Sequence, residues 1–209
     1  LKLLEYDVVM NDIASNILEF DLAMTYFYEI VLNKQLIYRP RLGILIFHHA
    51  PLLDLRGTGG FNIAILENHK SFGVTVHYLD EGIDTGPVIE VDRFDINPQN
   101  ETAQSLEIKS HTRMIELYKK TLTRVMKQGL LPCKPMVGGR YVSRQEMEEM
   151  KKILPDDDAD TKIRAFWFPP YDGAFVELNG TRYTLINREI VEKLAGDTDA
   201  LFRHTQKGS

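Results

Sequence analysis

Apolar positions along this chain change their period several times, and each change marks an element. Residues 21–26 (DLAMTY) and 42–47 (LGILIF) are short apolar runs with polar flanks, which predicts two strands. The mixed stretch 31–37 has room for one or two helical turns between them, so the two strands are expected to run parallel. After the second strand comes a loop, 48–60, and then a helical spacing through Ile63, Ile65 and Leu66. Residues 73–79 (GVTVHYL) and 88–94 are β-branched and aromatic around a turn-forming loop at 80–86, which predicts an adjacent antiparallel pair.

From 102 to 127 the period becomes helical: Ile108, Ile115, Tyr118, Leu122, Val125 and Met126 recur at three- and four-residue spacing, and Gly129 ends the run. Pro132, Pro135, Gly138 and Gly139 then punctuate the chain, placing a boundary between a main domain, 1–131, and a small unit, 132–209. Within the small unit, Ser143 with Glu146 forms a capping box that opens a short helix to about residue 152. The acidic run 156–160 reads as solvated loop. Residues 175–178 and 182–185 flank Asn179-Gly180, a hairpin turn whose two central residues both accept positive φ.

The length suits one buried core with a small appendage, and a hydrophobic share of 44% is that of an ordinary globular protein. A net charge of -5 shows no basic footprint for a polyphosphate backbone, which argues against nucleic acid as the substrate. Cys133 is the only cysteine, so no intrachain disulfide forms. No apolar run is long enough to span a bilayer, so no membrane role and a cytoplasmic location are expected. The chain starts at Leu1, not methionine.

The residues with chemistry to offer sit on two loops that follow predicted strands, 48–57 (HHAPLLDLRG) and 80–86 (DEGIDTG). In open α/β sheets such loops are where ligands bind. A histidine held beside a carboxylate is a base or proton shuttle. These stretches resemble the folate-dependent formyltransferase family. Its first signature is Asn-x-His, a Leu-Pro loop and Arg-Gly; its second is a Gly-Val-Thr-Val-His strand leading to Asp-Thr-Gly-Pro. The resemblance runs from about residue 21 to 185.

The resemblance implies a Rossmann-like α/β formyltransferase domain with a mixed sheet, lacking its first strand and helix ahead of Asp21, plus a small C-terminal helix and β-hairpin unit. On that account the chain is expected to be truncated at its start. Carried over by position, His48 takes the place of the family's catalytic histidine and Asp84 that of its aspartate. Counting back from Arg56 selects His48 over His49. Asp80, Gly82, Ile83 and Gly86 fall in the family's pterin-binding loop, which implies 10-formyltetrahydrofolate as cosubstrate; no metal is implied. Arg56, His77 and Trp167 are candidates for contact with the acceptor. Arg56 is equally suited to pairing with Asp54, and Trp167 to sealing a domain junction.

The sequence departs from the family pattern at Ile46, where the family carries a catalytic asparagine, and at Leu53 and Leu55. Loss of one oxyanion donor typically costs on the order of 10²- to 10³-fold in turnover, so another group must compensate if the chain is active. Residues 164–174 (RAFWFPPYDGA) resemble the segment after the catalytic domain in sugar N-formyltransferases and in the methionyl-tRNA enzyme. The acidic balance favours the sugar branch, whose acceptor is a nucleotide-linked deoxy amino sugar destined for surface polysaccharide such as lipopolysaccharide O-antigen. The alternatives are a methionyl-tRNA formyltransferase-like enzyme, a folate-binding hydrolytic relative, or an inactive paralogue. An exposed hairpin edge makes a homodimer the expected assembly.

Overall fold

The computed structural model describes residues 20–26, 32 and 34–205, with side chains to 196. The expectation about a missing first strand and helix, and most of the 31–37 stretch before α1, lie outside the described residues. Two compact units share the chain: 1–57, 72–94 and 109–141 form the first, and 58–71, 95–108 and 142–209 the second. They interleave along the sequence, whereas the boundary at 131 is a contiguous one.

The first unit is built on a four-stranded mixed sheet of order β1-β2-β4-β5. The strands are β1 (Ala23–Tyr26), β2 (Ile44–His48), β4 (Ser71–Tyr78) and β5 (Val88–Asp95), and α1 (Lys34–Ile37) links the first two. As expected, β1 and β2 are parallel, with Thr25 opposite Ile46. β2 and β4 are antiparallel, with Ile46 opposite His77 and His48 opposite Thr75. The Tyr78 N–H donates to the Pro87 carbonyl at 2.9 Å while Gly73 lies against Asp92, so β4 and β5 also run antiparallel.

Side chains alternate across a strand, so one face of β2 and β4 carries Leu45, Phe47, Val74 and Val76. These four are buried together with Met114, Leu117 and Val125 of the long helix α3 (Ala103–Gln128). The helical spacing of those apolar positions is what lays α3 along the sheet. Charged ends beyond the seam are paired: Arg113 with Asp92 at 2.7 Å, and Arg124 with Glu90 at 2.8 Å. A ribbon that periodicity did not reveal pairs β3 (Leu55–Gly57), inside the stretch read as a loop, with β6 (Arg140–Val142), a stretch given no element. Three-residue strands are too short to show alternation.

The second unit packs α2 (Gly60–Leu66) against α5 (Ala159–Phe166), with Asn62 donating to the Ala165 carbonyl at 2.7 Å. The capping box is present: the Ser143 hydroxyl accepts from the Glu146 N–H at 3.1 Å at the start of α4 (Arg144–Met150). The hairpin is also present, β7 (Phe175–Leu178) with β8 (Thr181–Thr184), and Asn179 and Gly180 take φ of 52° and 78°. The reading of 156–160 as solvated loop holds for the mostly exposed 156–158, while 159–160 open the helix α5. Asp158 caps α5 through the Thr161 N–H, and Asp157 pairs with Lys162 at 2.6 Å. Arg164 is buried and donates to the carbonyls of Pro98 and Glu101, at 2.5 and 3.2 Å, so the arginine of the 164–174 segment is a structural hub. A last helix, α6 (Arg188–Thr205), follows the hairpin. Among the described residues no helix is long and apolar enough to cross a membrane.

Leu45 is fully buried at the centre of the sheet–helix seam. Leu45→Ala is therefore expected to destabilise the protein by about 2–5 kcal/mol, read as a lowered urea midpoint with an unchanged slope.

Candidate active site

The face of β2 and β4 turned away from α3 carries the candidate residues. Ile46 and His48 are two residues apart on β2, so they point the same way, and their partners His77 and Thr75 share that face. Thr75 holds the loop that leaves His48. Its hydroxyl donates to the Ala50 carbonyl at 2.6 Å and accepts the Leu52 N–H at 3.1 Å, in a fully buried position. A turn then closes from the Asp54 N–H to the Pro51 carbonyl at 2.7 Å, and Arg93 pairs with Asp54 at 2.6 Å. The loop is thereby aimed back at the sheet, delivering Arg56 and Gly57.

Gly57 meets the second loop. Its N–H donates to Asp84 Oδ2 at 3.0 Å, while Asp84 Oδ1 stands 3.5 Å from His48 Nδ1. One carboxylate thus bridges both loops and the end of β2. At 3.5 Å the contact to His48 is an orienting ion-pair distance, of the kind that tightens when a catalytic site is occupied. Asp84 adopts a left-handed φ of 54°, which few side chains accept. The loop enforces it: Asp80 Oδ1 accepts from the Gly82 N–H at 3.0 Å and from the Thr85 hydroxyl at 2.6 Å. Gly86 closes the loop so tightly that a Cβ there would lie 1.8 Å from the Tyr78 carbonyl oxygen. Only glycine fits.

Burial lowers the His48 pKa, and the Asp84 charge pulls it part of the way back, so the imidazole is neutral near neutrality. With Nδ1 facing the carboxylate, Nδ1 carries the proton and Nε2 offers a lone pair, the arrangement of a base. His77 is also neutral: burial, then the nearby His48, push it down to about 4, while the Tyr78 carbonyl and the Asp84 and Asp80 charges oppose the shift. His49, one residue on, belongs to a different cluster. It stacks edge-on to His111 with ring centroids 4.6 Å apart, Tyr26 bonds His111 at 2.6 Å, and burial lowers His49 to about 3.

Residues 9–122, more than half of the chain, match the formyl transferase family model. The chain belongs to the formyl transferase family. A methionyl-tRNA formyltransferase of Parvibaculum lavamentivorans is 32% identical over 77% of this chain and 52% of its own length. The chain spans about half the length of the curated relatives it matches. A 4-N formyltransferase from Francisella tularensis has the same fold, with a TM-score of 0.74 at 21% identity over 88% of this chain and 76% of its own. An N-formyltransferase from Helicobacter canadensis, solved with folinic acid and dTDP-3-aminofucose, superposes with a TM-score of 0.64 at 25% identity, over 76% of this chain and 59% of its own.

Of the residues singled out from the sequence, His48, Asp84, Asp80, Gly82, Ile83, Gly86, Arg56 and His77 all lie in the first unit, and the fold brings His48 and Asp84 together. Arg56 does not pair with Asp54, which Arg93 occupies; it is half-buried with Nε donating to the Gly139 carbonyl at 3.2 Å. Trp167 follows α5 in the second unit, where its carbonyl accepts from the Gln104 N–H. Ile46 stands on the His48 face and offers no hydrogen bond. Thr75 and the Gly57 N–H were not singled out from sequence. The signal for Thr75 is its place two residues before His77 on a strand otherwise apolar at Val74 and Val76.

The neutral state of His77 has a consequence for stability. Between its ordinary value of 6.5 and about 4, the unfolded chain binds a proton at this residue that the native chain does not, so stability is present above that window and falls as pH drops through it. His48 and His49 add to the same slope. His77→Phe is expected to flatten the fall of the urea midpoint with pH across this window; an unchanged slope counts against the buried neutral imidazole.

Proposed function

We propose that this chain transfers the formyl group of 10-formyltetrahydrofolate to the amino group of a nucleotide-linked deoxy amino sugar. The observation that carries the reading is the His48–Asp84 pair, held at 3.5 Å by a loop that Gly57, Thr85 and Gly86 constrain. The sugar acceptor is supported by the Helicobacter canadensis relative, solved with folinic acid and dTDP-3-aminofucose. It is also supported by the net charge of -5, which suits a nucleotide sugar better than a tRNA. The second reading, methionyl-tRNA as acceptor, is supported by the names of the sequence relatives.

The 80–86 loop fits a flat heteroaromatic ring. Ile83 exposes 57% of its surface as an apolar platform, and Asp80 Oδ1 is committed to the loop itself, which leaves backbone groups to bond a ring edge. When bound there, the formyl donor supplies an activated carbonyl carbon. The acceptor must be a neutral amine to attack it. As the new C–N bond forms, His48 Nε2 accepts a proton from the amine, and Asp84 stabilises the resulting imidazolium through Nδ1–H. That proton is then available to the nitrogen from which the formyl group leaves. Arg56, with Nη groups clear of Asp54, is the proposed contact to the diphosphate.

A homodimer through the exposed β7–β8 hairpin, a cytoplasmic location and a product used in surface polysaccharide belong to the same reading. Sedimentation velocity of the full chain reads the first of these: a monomer at micromolar concentration removes it.

His48→Gln is expected to lower formyl transfer to dTDP-3-aminofucose on the order of 10²- to 10⁴-fold while calorimetric binding of folinic acid stays as in the parent. Asp84→Asn should fall in the same direction, since it removes the imidazolium's counter-charge. Wild-type turnover in His48→Gln, or transfer to methionyl-tRNA with none to amino sugars, would sink this assignment.

A further inference from the structure

One buried group in the first unit has hydrogen-bonding capacity that the protein does not use. His77 is 1% exposed. Its Nδ1 lies 2.8 Å from the Tyr78 carbonyl oxygen. A carbonyl only accepts, so Nδ1 carries the proton and, in the neutral ring, Nε2 is left with a lone pair. That Nε2 has no hydrogen-bond partner among the described residues. A buried acceptor without a donor costs free energy, and in a native protein such a group calls for a reason, a catalytic role being one.

The register shows why no protein donor reaches it. Directly opposite on β2 is Ile46, which has no polar atom, and beyond Ile46 on β1 is Thr25, whose hydroxyl is spent on the Leu45 carbonyl at 3.3 Å. Two residues before His77 on the same face, Thr75 is spent on Ala50. His48 is a further neighbour on this face. It sits opposite Thr75 and therefore diagonal to His77 on the same face, a spacing of roughly 7–8 Å between backbones that brings it near enough for its charge to act on the His77 ring. Both neutral rings keep a lone pair on Nε2: His48 with its Nδ1 turned to Asp84 at 3.5 Å, His77 with its Nδ1–H donated to the Tyr78 carbonyl. Two acceptors with no donor between them match a group that brings more than one N–H.

We propose that His77 is a second catalytic contact to the acceptor amine: its Nε2 accepts one N–H while His48 Nε2 takes the proton that leaves as the C–N bond forms. The inference rests on the formyl-transfer reading above. Bond changes are unaltered by it: the C–N bond to the amine forms, the formyl bond to the donor nitrogen breaks, and the amine proton passes by way of His48 to that nitrogen. His77 keeps its own Nδ1 proton throughout. Its work is orientation, holding the amine so that its lone pair faces the carbonyl carbon. The same tautomer excludes His77 as a hydrogen-bond donor to the oxyanion, so it does not replace the amide missing at Ile46.

The first test is 15N NMR of the full-length chain labelled at histidine. At neutral pH, His77 Nε2 is expected to resonate as an unprotonated ring nitrogen and to shift toward hydrogen-bonded values on addition of dTDP-3-aminofucose. Methylamine, which needs no sugar pocket, should shift it too, and tetramethylammonium, which has no N–H, should not. The second test is kinetic. His77→Phe should lower kcat/KM for the amine on the order of 10²-fold with folinic acid binding unchanged, and His77→Gln, whose side-chain carbonyl accepts, should recover part of the loss. A protonated Nε2, an Nε2 unmoved by both amines, or parental kcat/KM in His77→Phe overturns the proposal. Failure of the formyl-transfer reading looks different: the parent protein turns over no acceptor, while Nε2 still responds to methylamine.

Discussion

The antiparallel pairing of β2 with β4 is the constraint on which the rest of this structure depends. Its register sets Ile46 against His77 and His48 against Thr75 on one face, and Leu45 and Phe47 against Tyr78 and Val76 on the other. Side-chain direction alternates with a period of two residues, so a slip by one would turn His48 into the seam with α3 and expose Phe47 in its place. The apolar face buried against Met114, Leu117 and Val125 makes that slip costly. Packing on one side of the sheet thereby fixes which histidine is available on the other, and it is why His49 ends up with Tyr26 and His111 instead.

Around that register the site is assembled by backbone hydrogen bonds more than by side-chain pairs. Thr75 pins the loop after His48, the Gly57 N–H holds Asp84, and Asp80 organises its own loop through Gly82 and Thr85. The Thr75 and Gly57 bonds lie in buried or half-buried settings, where an unmet polar group is expensive, while those of Asp80 are exposed. The positive φ at Asp84 is sustained by these restraints, and it is what aims the carboxylate at His48 while it still reaches Gly57. By contrast the exposed links from Glu81 to Lys34 and Tyr38 contribute little, since surface ion pairs are screened and entropically opposed.

Much of the fold was legible in the chain because its longer elements are strongly periodic. The sheet strands, the helix α3, the Ser143 capping box and the Asn179-Gly180 turn follow from spacing and from residues with one conformational use. Less legible were β3 and β6, whose three residues cannot display a period, and the helices α5 and α6. In hindsight α5 had a signal, since Asp158 and Thr161 are cap and third position, but the run of aspartates hid it among what looked like solvated charge. The interleaving of the two units was not legible at all, because it depends on which distant segments pack and not on composition.

The sequence by itself determined the identities at the candidate site: a histidine at the end of a strand, an aspartate in a glycine-bounded loop, and an isoleucine where a polar group would be expected. These are local facts, written in residue type and spacing, because turns and strand ends are governed by near neighbours. Only the tertiary structure decided that Asp84 meets both Gly57 and His48, that Arg56 is clear of Asp54, and that His77 keeps an unused lone pair beside Ile46. Those outcomes turn on strand register, loop closure and burial, which are set by contacts between segments far apart in the chain and have no signature in any one of them.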